Sequence, residues 1–200
     1  MSTMPIQVPA VSKAELRLRR VSVAEYHRMA EDGYFSGGER VELIDGLIIE
    51  KDVKKPAHST VKKRCAKAIE AQIPPALSVR TEEPVTLSTS EPEPDVLLAR
   101  GSDDDFAHRH PSASEVVLLV EVSDSSLDLD HGLKLRQYAA ERISPYVILN
   151  IPDRQAEIRT QPAGDRYADE RIVPATESIA LETAAGVIRL DLPALFAGVE

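Results

Sequence analysis

Apolar positions come in short runs broken by polar stretches, and two segments carry a helical period. Ser22 followed by Glu25 has capping-box spacing, and Gly33 suits the end of a short helix between them. In residues 40–50, Asp45-Gly46 stands between two β-rich arms. That pattern predicts a hairpin, because both central positions of a type I′ turn need positive φ. Over 57–73 the spacing predicts a helix halted by Pro74 and Pro75. Val61, Cys65, Ala68, Ile69 and Gln72 share one side of it, and Lys63, Arg64 and Lys67 the other. His58 falls at the start of that helix on the inward side.

Short apolar runs predict strands at 77–83, 95–100 and 116–122, with a long polar loop over 101–114. A further helix is expected over 132–142, with Asp130 as its N-cap. A strand follows at 146–151, then weaker β segments as far as Asp191. From residue 57 the order is helix, three strands, helix, strand, preceded by a hairpin. It predicts an α/β (mixed α+β) fold, a sheet flanked by helices.

Two carboxylates interrupt this pattern. Asp95 opens an apolar run, and Glu121 sits inside another. If the strands pair antiparallel with Val96 opposite Val120, Asp95 lies directly across from Glu121. Like charges so placed are destabilising unless neutralised. A shared proton would do this, as would a hard cation such as Mg²⁺, which binds through one or two carboxylates plus waters and phosphate oxygens. Strand-end carboxylates paired with basic residues or solvated at the surface are the bland alternative.

Length and composition narrow the context. Two hundred residues suit one domain, taken here as 21–200 behind a mobile arm at 1–20. The arm holds Lys13, Arg17, Arg19 and Arg20 without a continuous apolar core, which argues against a secretory signal. The longest apolar run, 116–120, is far too short for a membrane span. The single cysteine, Cys65, excludes an internal disulfide and a cysteine zinc cage. A cytoplasmic protein without membrane attachment is the expectation.

The net charge of −9 argues against a nucleic-acid partner only as an average. Residues 1–80 carry 14 Lys and Arg against 10 Asp and Glu, whereas residues 81–200 carry 10 against 23. The basic half keeps a polyanionic substrate open. Any DNA binding is expected to be weak, salt-sensitive and metal-dependent.

Several segments together resemble a known family. They are Glu42-Leu43-Ile44-Asp45-Gly46, Pro56-Ala57-His58, Glu93-Pro94-Asp95, residues 121–126 from Glu121 to Ser126, and residues 132–138 from Gly132 to Tyr138. In this order the chain resembles the Uma-two family of restriction-endonuclease-like proteins over residues 21–196. The resemblance implies a PD-(D/E)XK fold, with a central mixed sheet flanked by helices and an N-terminal β-hairpin. It implies a metal-dependent endonuclease acting on phosphodiester bonds, DNA ahead of RNA, with Mg²⁺ as cofactor and Mn²⁺ as a substitute. It also implies a homodimer able to cut both strands.

Carried over by position, Asp95 and Glu121 would be metal ligands, with the Val122 carbonyl a third. Ser123 stands where the superfamily lysine is usual, and the resemblance moves that lysine to Lys134. Glu42 would be a further acidic catalytic residue. His58, Ser123, Gln137 and Tyr138 are accessory candidates. Lys134 shares a helical arc with Gln137, Tyr138 and Glu141, an arc that reads equally well as a solvated face.

Two other readings stay open. One is a catalytically inactive nuclease-fold protein that binds nucleic acid or a protein partner. The other is a two-carboxylate hydrolase acting on a glycosidic bond, although the absence of tryptophan and 4% aromatic content leave few stacking surfaces for a sugar. His108 and His110, beside three aspartates in the polar loop, could bind a transition metal but read more simply as solvated. Lys63, Arg64 and Lys67 could touch a phosphate backbone or form the wet side of their helix.

Overall fold

The structure is a computed structural model that describes residues 18–199. Most of the arm at 1–20 lies outside the described residues. Helix α1 (Val23–Glu31) begins with the expected reciprocal bonds between Ser22 and Glu25. Strands β1 (Val41–Ile44) and β2 (Leu47–Glu50) pair with Ile44 opposite Leu47, and Asp45 and Gly46 take φ of 50° and 70°. The hairpin is thus the two-residue turn that the sequence predicts.

Helix α2 (Pro56–Glu70) ends three residues before the predicted limit. Pro74 keeps Ile73 out of the helical region, and Gln72 lies just beyond the last turn. The Gln72 side chain donates to the Arg189 carbonyl at 2.8 Å and accepts from the Arg189 amide at 2.9 Å, which ties the end of the helix to a distant strand.

Six strands form the main sheet in the order β3 (Leu77–Arg80), β4 (Val96–Arg100), β5 (Val116–Ser123), β6 (Tyr146–Asn150), β7 (Gln155–Ala163) and β8 (Arg166–Pro174). Only β5 and β6 run parallel. Parallel neighbours need a crossover, supplied by α3 (Leu127–Leu129), a π-helical segment (Asp130–Lys134) and α4 (Leu135–Ala140). β3 stops before 83 because Glu82 adopts φ of 55° and hands its amide to the Pro94 carbonyl.

The expected N-cap role of Asp130 is not what the structure shows. The crossover turns helical at Leu127, and Asp130 lies buried inside it with its side chain bonded to Ser123 and Ser126. The hydroxyls of those two serines draw the carboxylate inward.

Strand alternation divides the interior into two layers. Val96, Leu98, Val120, Val122, Val147 and Leu149 face Val61, Cys65 and Ile69 of α2. The hairpin β9 (Ser178–Thr183) and β10 (Gly186–Asp191), with the short α5 (Leu192–Leu195), completes that layer. On the other face Leu97, Leu119, Tyr146 and Ile148 pack with Tyr138 and Ile143. Thus β7 and β8 extend the sheet while β9 and β10 cover a helix. No helix among the described residues is long and apolar enough to cross a membrane.

Candidate functional site

Val96 pairs with Val120, the register that sets Asp95 beside Glu121. The backbone locks the two together. The Asp95 amide donates to Glu121 Oε2 at 3.2 Å, and the Val122 amide donates to Asp95 Oδ2 at 2.8 Å. The contact at Val122 is made through its amide.

Three further elements deliver side chains to this junction. From the crossover, Lys134 donates to Glu121 Oε1 at 3.1 Å, and the Tyr138 hydroxyl donates to the same oxygen at 2.9 Å. From β1, Glu42 brings Oε1 to 3.4 Å from the Lys134 ammonium, while its Oε2 accepts from the Glu93 amide at 3.0 Å. From α2, His58 Nε2 lies 3.0 Å from Asp95 Oδ2. Glu42, Asp95, Glu121, His58 and Lys134 line one cleft of about 340 Å³.

Lys134 is only 5% exposed, so its helical arc is not a solvated face. Tyr138 is fully buried and supports Glu121 from below. Ser123 turns away to donate to Asp130 Oδ2 at 2.6 Å. Gln137 does not line the cleft, since its Oε1 accepts from the Thr89 and Ser90 hydroxyls. His110 lies 3.8 Å from Glu91 and His108 is exposed. Arg64 is spent on the Leu195 and Ala197 carbonyls, while Lys63 and Lys67 are exposed.

Sequence reasoning missed a second set of charges. Lys54 sits 2.6 Å from Asp95 Oδ1 and 2.6 Å from Glu82 Oε1. Glu82 also pairs with Lys62, and Lys51 with Glu93. The cluster of Lys51, Lys54 and Lys55 just before α2 was the available signal.

Burial and crowding set the protonation of the cleft. Burial pushes Glu121 up to about 8, Lys134 opposing the rise and Asp130, Asp95 and Glu42 adding to it. Burial works against the charge on Lys134, but the carboxylates of Glu121, Glu42, Asp130 and Asp95 outweigh it and hold the ammonium protonated. Burial also opposes the charge on Asp95, yet the His58 hydrogen bond and charge, with Lys54, keep its carboxyl well below the usual range. Lys54 and Lys62 likewise overcome burial at Glu82 and lower it to about 2.

Among the described residues, no three His, Cys, Asp or Glu side chains are grouped so as to hold a metal ion alone. The donor chemistry nonetheless fits a hard dication. Asp95 and Glu121 offer carboxylate oxygens at the cleft, and Lys54 shows that Asp95 Oδ1 accepts a cationic neighbour. Mg²⁺ commonly binds through one or two carboxylates and completes its shell with water and phosphate oxygens.

The crystal structure of a "putative nuclease belonging to DUF820" from Anabaena variabilis is similar to this chain, with a TM-score of 0.62 and 13% sequence identity. The match covers 84% of this chain and 98% of that one, and at this identity it shows the fold. No curated protein sequence matches. The model of the Uma2 family, described as "Putative restriction endonuclease", matches residues 23–193. With Glu42, Asp95, Glu121 and Lys134 all inside that span, the chain belongs to the Uma2 family.

Proposed function

We propose that the chain is a divalent-metal-dependent endonuclease hydrolysing phosphodiester bonds of nucleic acid, DNA ahead of RNA. Mg²⁺ is the proposed ion, with Mn²⁺ as a substitute, and a homodimer is the proposed assembly. The observation that carries this reading is the meeting of Glu42 from β1, Asp95 from the residue before β4, Glu121 from β5 and Lys134 from the π-helical segment in one cleft.

When bound, the metal would supply Lewis acidity at a phosphoryl oxygen and a more acidic water. Asp95 and Glu121 would hold the ion, fixed in aim by the backbone bonds between their strands. Lys134 stays protonated, so it orients the attacking water and offsets charge on the phosphoryl oxygens rather than taking a proton. Glu42 holds that ammonium from the opposite side.

A second reading draws on Lys54 and His58, which already engage both oxygens of Asp95. On that reading the protein binds nucleic acid or a partner without cutting.

Incubation with plasmid, single-stranded DNA and RNA, with and without Mg²⁺ or Mn²⁺, separates the two. Metal-dependent cleavage that disappears in Asp95→Asn and Glu121→Gln supports the nuclease. Cleavage that persists in both variants rules out the site, and no cleavage of any substrate leaves the binding reading.

A further inference from the structure

We propose that Asp130 is a positioning residue that receives the Lys134 ammonium when a divalent cation takes up Glu121. This rests on the metal reading above. Asp130 is 1% exposed and opens the π-helical segment that ends at Lys134. Its Oδ2 accepts from Ser123 Oγ at 2.6 Å and Ser126 Oγ at 2.7 Å. Its Oδ1 is buried and has no hydrogen-bond partner, yet it lies 3.9 Å from Lys134 Nζ.

A buried carboxylate oxygen without a donor is costly and calls for an explanation. The cation facing it is engaged elsewhere, 3.1 Å from Glu121 Oε1 and 3.4 Å from Glu42 Oε1. A dication on Glu121 changes this balance. It competes for the same oxygen and repels the ammonium in a medium of low dielectric. Lys134 is buried, and losing Glu121 to the ion removes one of its two close counter-charges, leaving Glu42. Asp130 Oδ1 offers another, and a shift of about 1 Å brings the ammonium to the length of a charge-assisted hydrogen bond.

The acceptor itself is fixed. Two serine hydroxyls hold its other oxygen, and the Tyr146 hydroxyl donates to the Asp130 carbonyl at 3.0 Å. The lysine therefore moves and the aspartate stays. The i, i+4 spacing keeps both on one side of the helical segment. The move frees Glu121 Oε1 for the ion while the positive charge remains beside the cleft.

The test is calorimetric titration of Mn²⁺ into the full chain, its Asp130→Asn and Lys134→Met variants, and the double variant. Asparagine keeps an acceptor for the serine hydroxyls but turns an amide NH₂ toward Lys134. Asp130→Asn is expected to weaken Mn²⁺ binding about fivefold or more, and to have no effect once Lys134 is methionine. An unchanged affinity overturns the proposal. So does an equal loss in both backgrounds, which would make Asp130 a ligand or a structural residue. Should Asp130→Asn not fold, the Lys134 ammonium resonance of the unmutated chain decides. It is expected to shift on Mg²⁺ saturation, and a fixed resonance overturns the proposal. No Mn²⁺ binding by the unmutated chain overturns the metal reading and this proposal together, whereas the other negative results leave the metal reading standing.

Discussion

The Tyr138 hydroxyl donates to Glu121 Oε1 at 2.9 Å, the same oxygen that Lys134 approaches at 3.1 Å. The carboxylate is therefore held by a neutral donor and a charged one, both from a single crossover. Tyr138→Phe removes the neutral donor and keeps the ring in its layer against Tyr146. The expected loss is about 1 kcal/mol of stability, since Lys134 still satisfies the oxygen. A fall in the urea midpoint with an unchanged slope is the measurement.

The proposed metal ligands Asp95 and Glu121 can be probed without emptying the cleft of counter-charges. Truncating Asp95 to alanine would leave His58 and Lys54 facing a void, with Lys54 keeping Glu82, and leaving a buried polar group without its partner costs about 1–3 kcal/mol. Asp95→Asn and Glu121→Gln keep the shape. Each is expected to lower metal-dependent cleavage by about two orders of magnitude or more, the scale of losing one group that stabilises the transition state. Initial rates under excess Mg²⁺ measure it, alongside circular dichroism to show a retained fold.

Glu121 makes the metal-free protein respond to pH in a defined direction. Its carboxyl is raised from 4.5 to about 8 in the folded chain. A raised group contributes stability that is complete below its unfolded value and lost as pH rises through the folded one. Thermal unfolding of the metal-free chain should therefore show Glu121→Gln gaining on the parent between pH 4.5 and 8, by at most about 1.4 kcal/mol per pH unit, and levelling off above. Asp95 acts oppositely. Its lowered carboxyl gives stability that is full above the ordinary value of 3.8 and drains away as the solution is acidified further.

Gly46 carries the turn that presents Glu42. With φ of 70°, an added Cβ would lie 2.6 Å from Arg20 Cβ and 3.1 Å from the Val21 carbonyl. The left-handed backbone alone costs a non-glycine residue about 1–2 kcal/mol, and the clash adds to it. Gly46→Ala should lower the denaturation midpoint by at least that much. It should also lower cleavage, since β1 must shift with its turn.

Local signals accounted for much of the fold and for the acidic centre. Asp45-Gly46 specified a turn because two positive φ angles restrict the residue choice. Asp95 and Glu121 were legible because each breaks an apolar run at the end where antiparallel strands meet. Lys54 was not, because it reaches Asp95 across 41 residues from a segment with no period. Asp130 was misread since an aspartate suits both a helix start and a buried acceptor, and only the two serine hydroxyls decide between them. Gln137 shares a helical arc with Lys134, but its arc also reaches Ser90 on another loop.

The pairing of Val96 with Val120 also has a consequence for how the chain finds its native state. Side chains alternate along β5, so a slip of one residue would exchange Glu121 with Val122. The carboxylate would then enter the layer of Val61, Cys65 and Ile69, and a valine would face Lys134 and Tyr138. Both exchanges strand a charge in apolar surroundings. The position of Glu121 thus penalises the neighbouring registers, so the residue that shapes the cleft also specifies how β4 and β5 align.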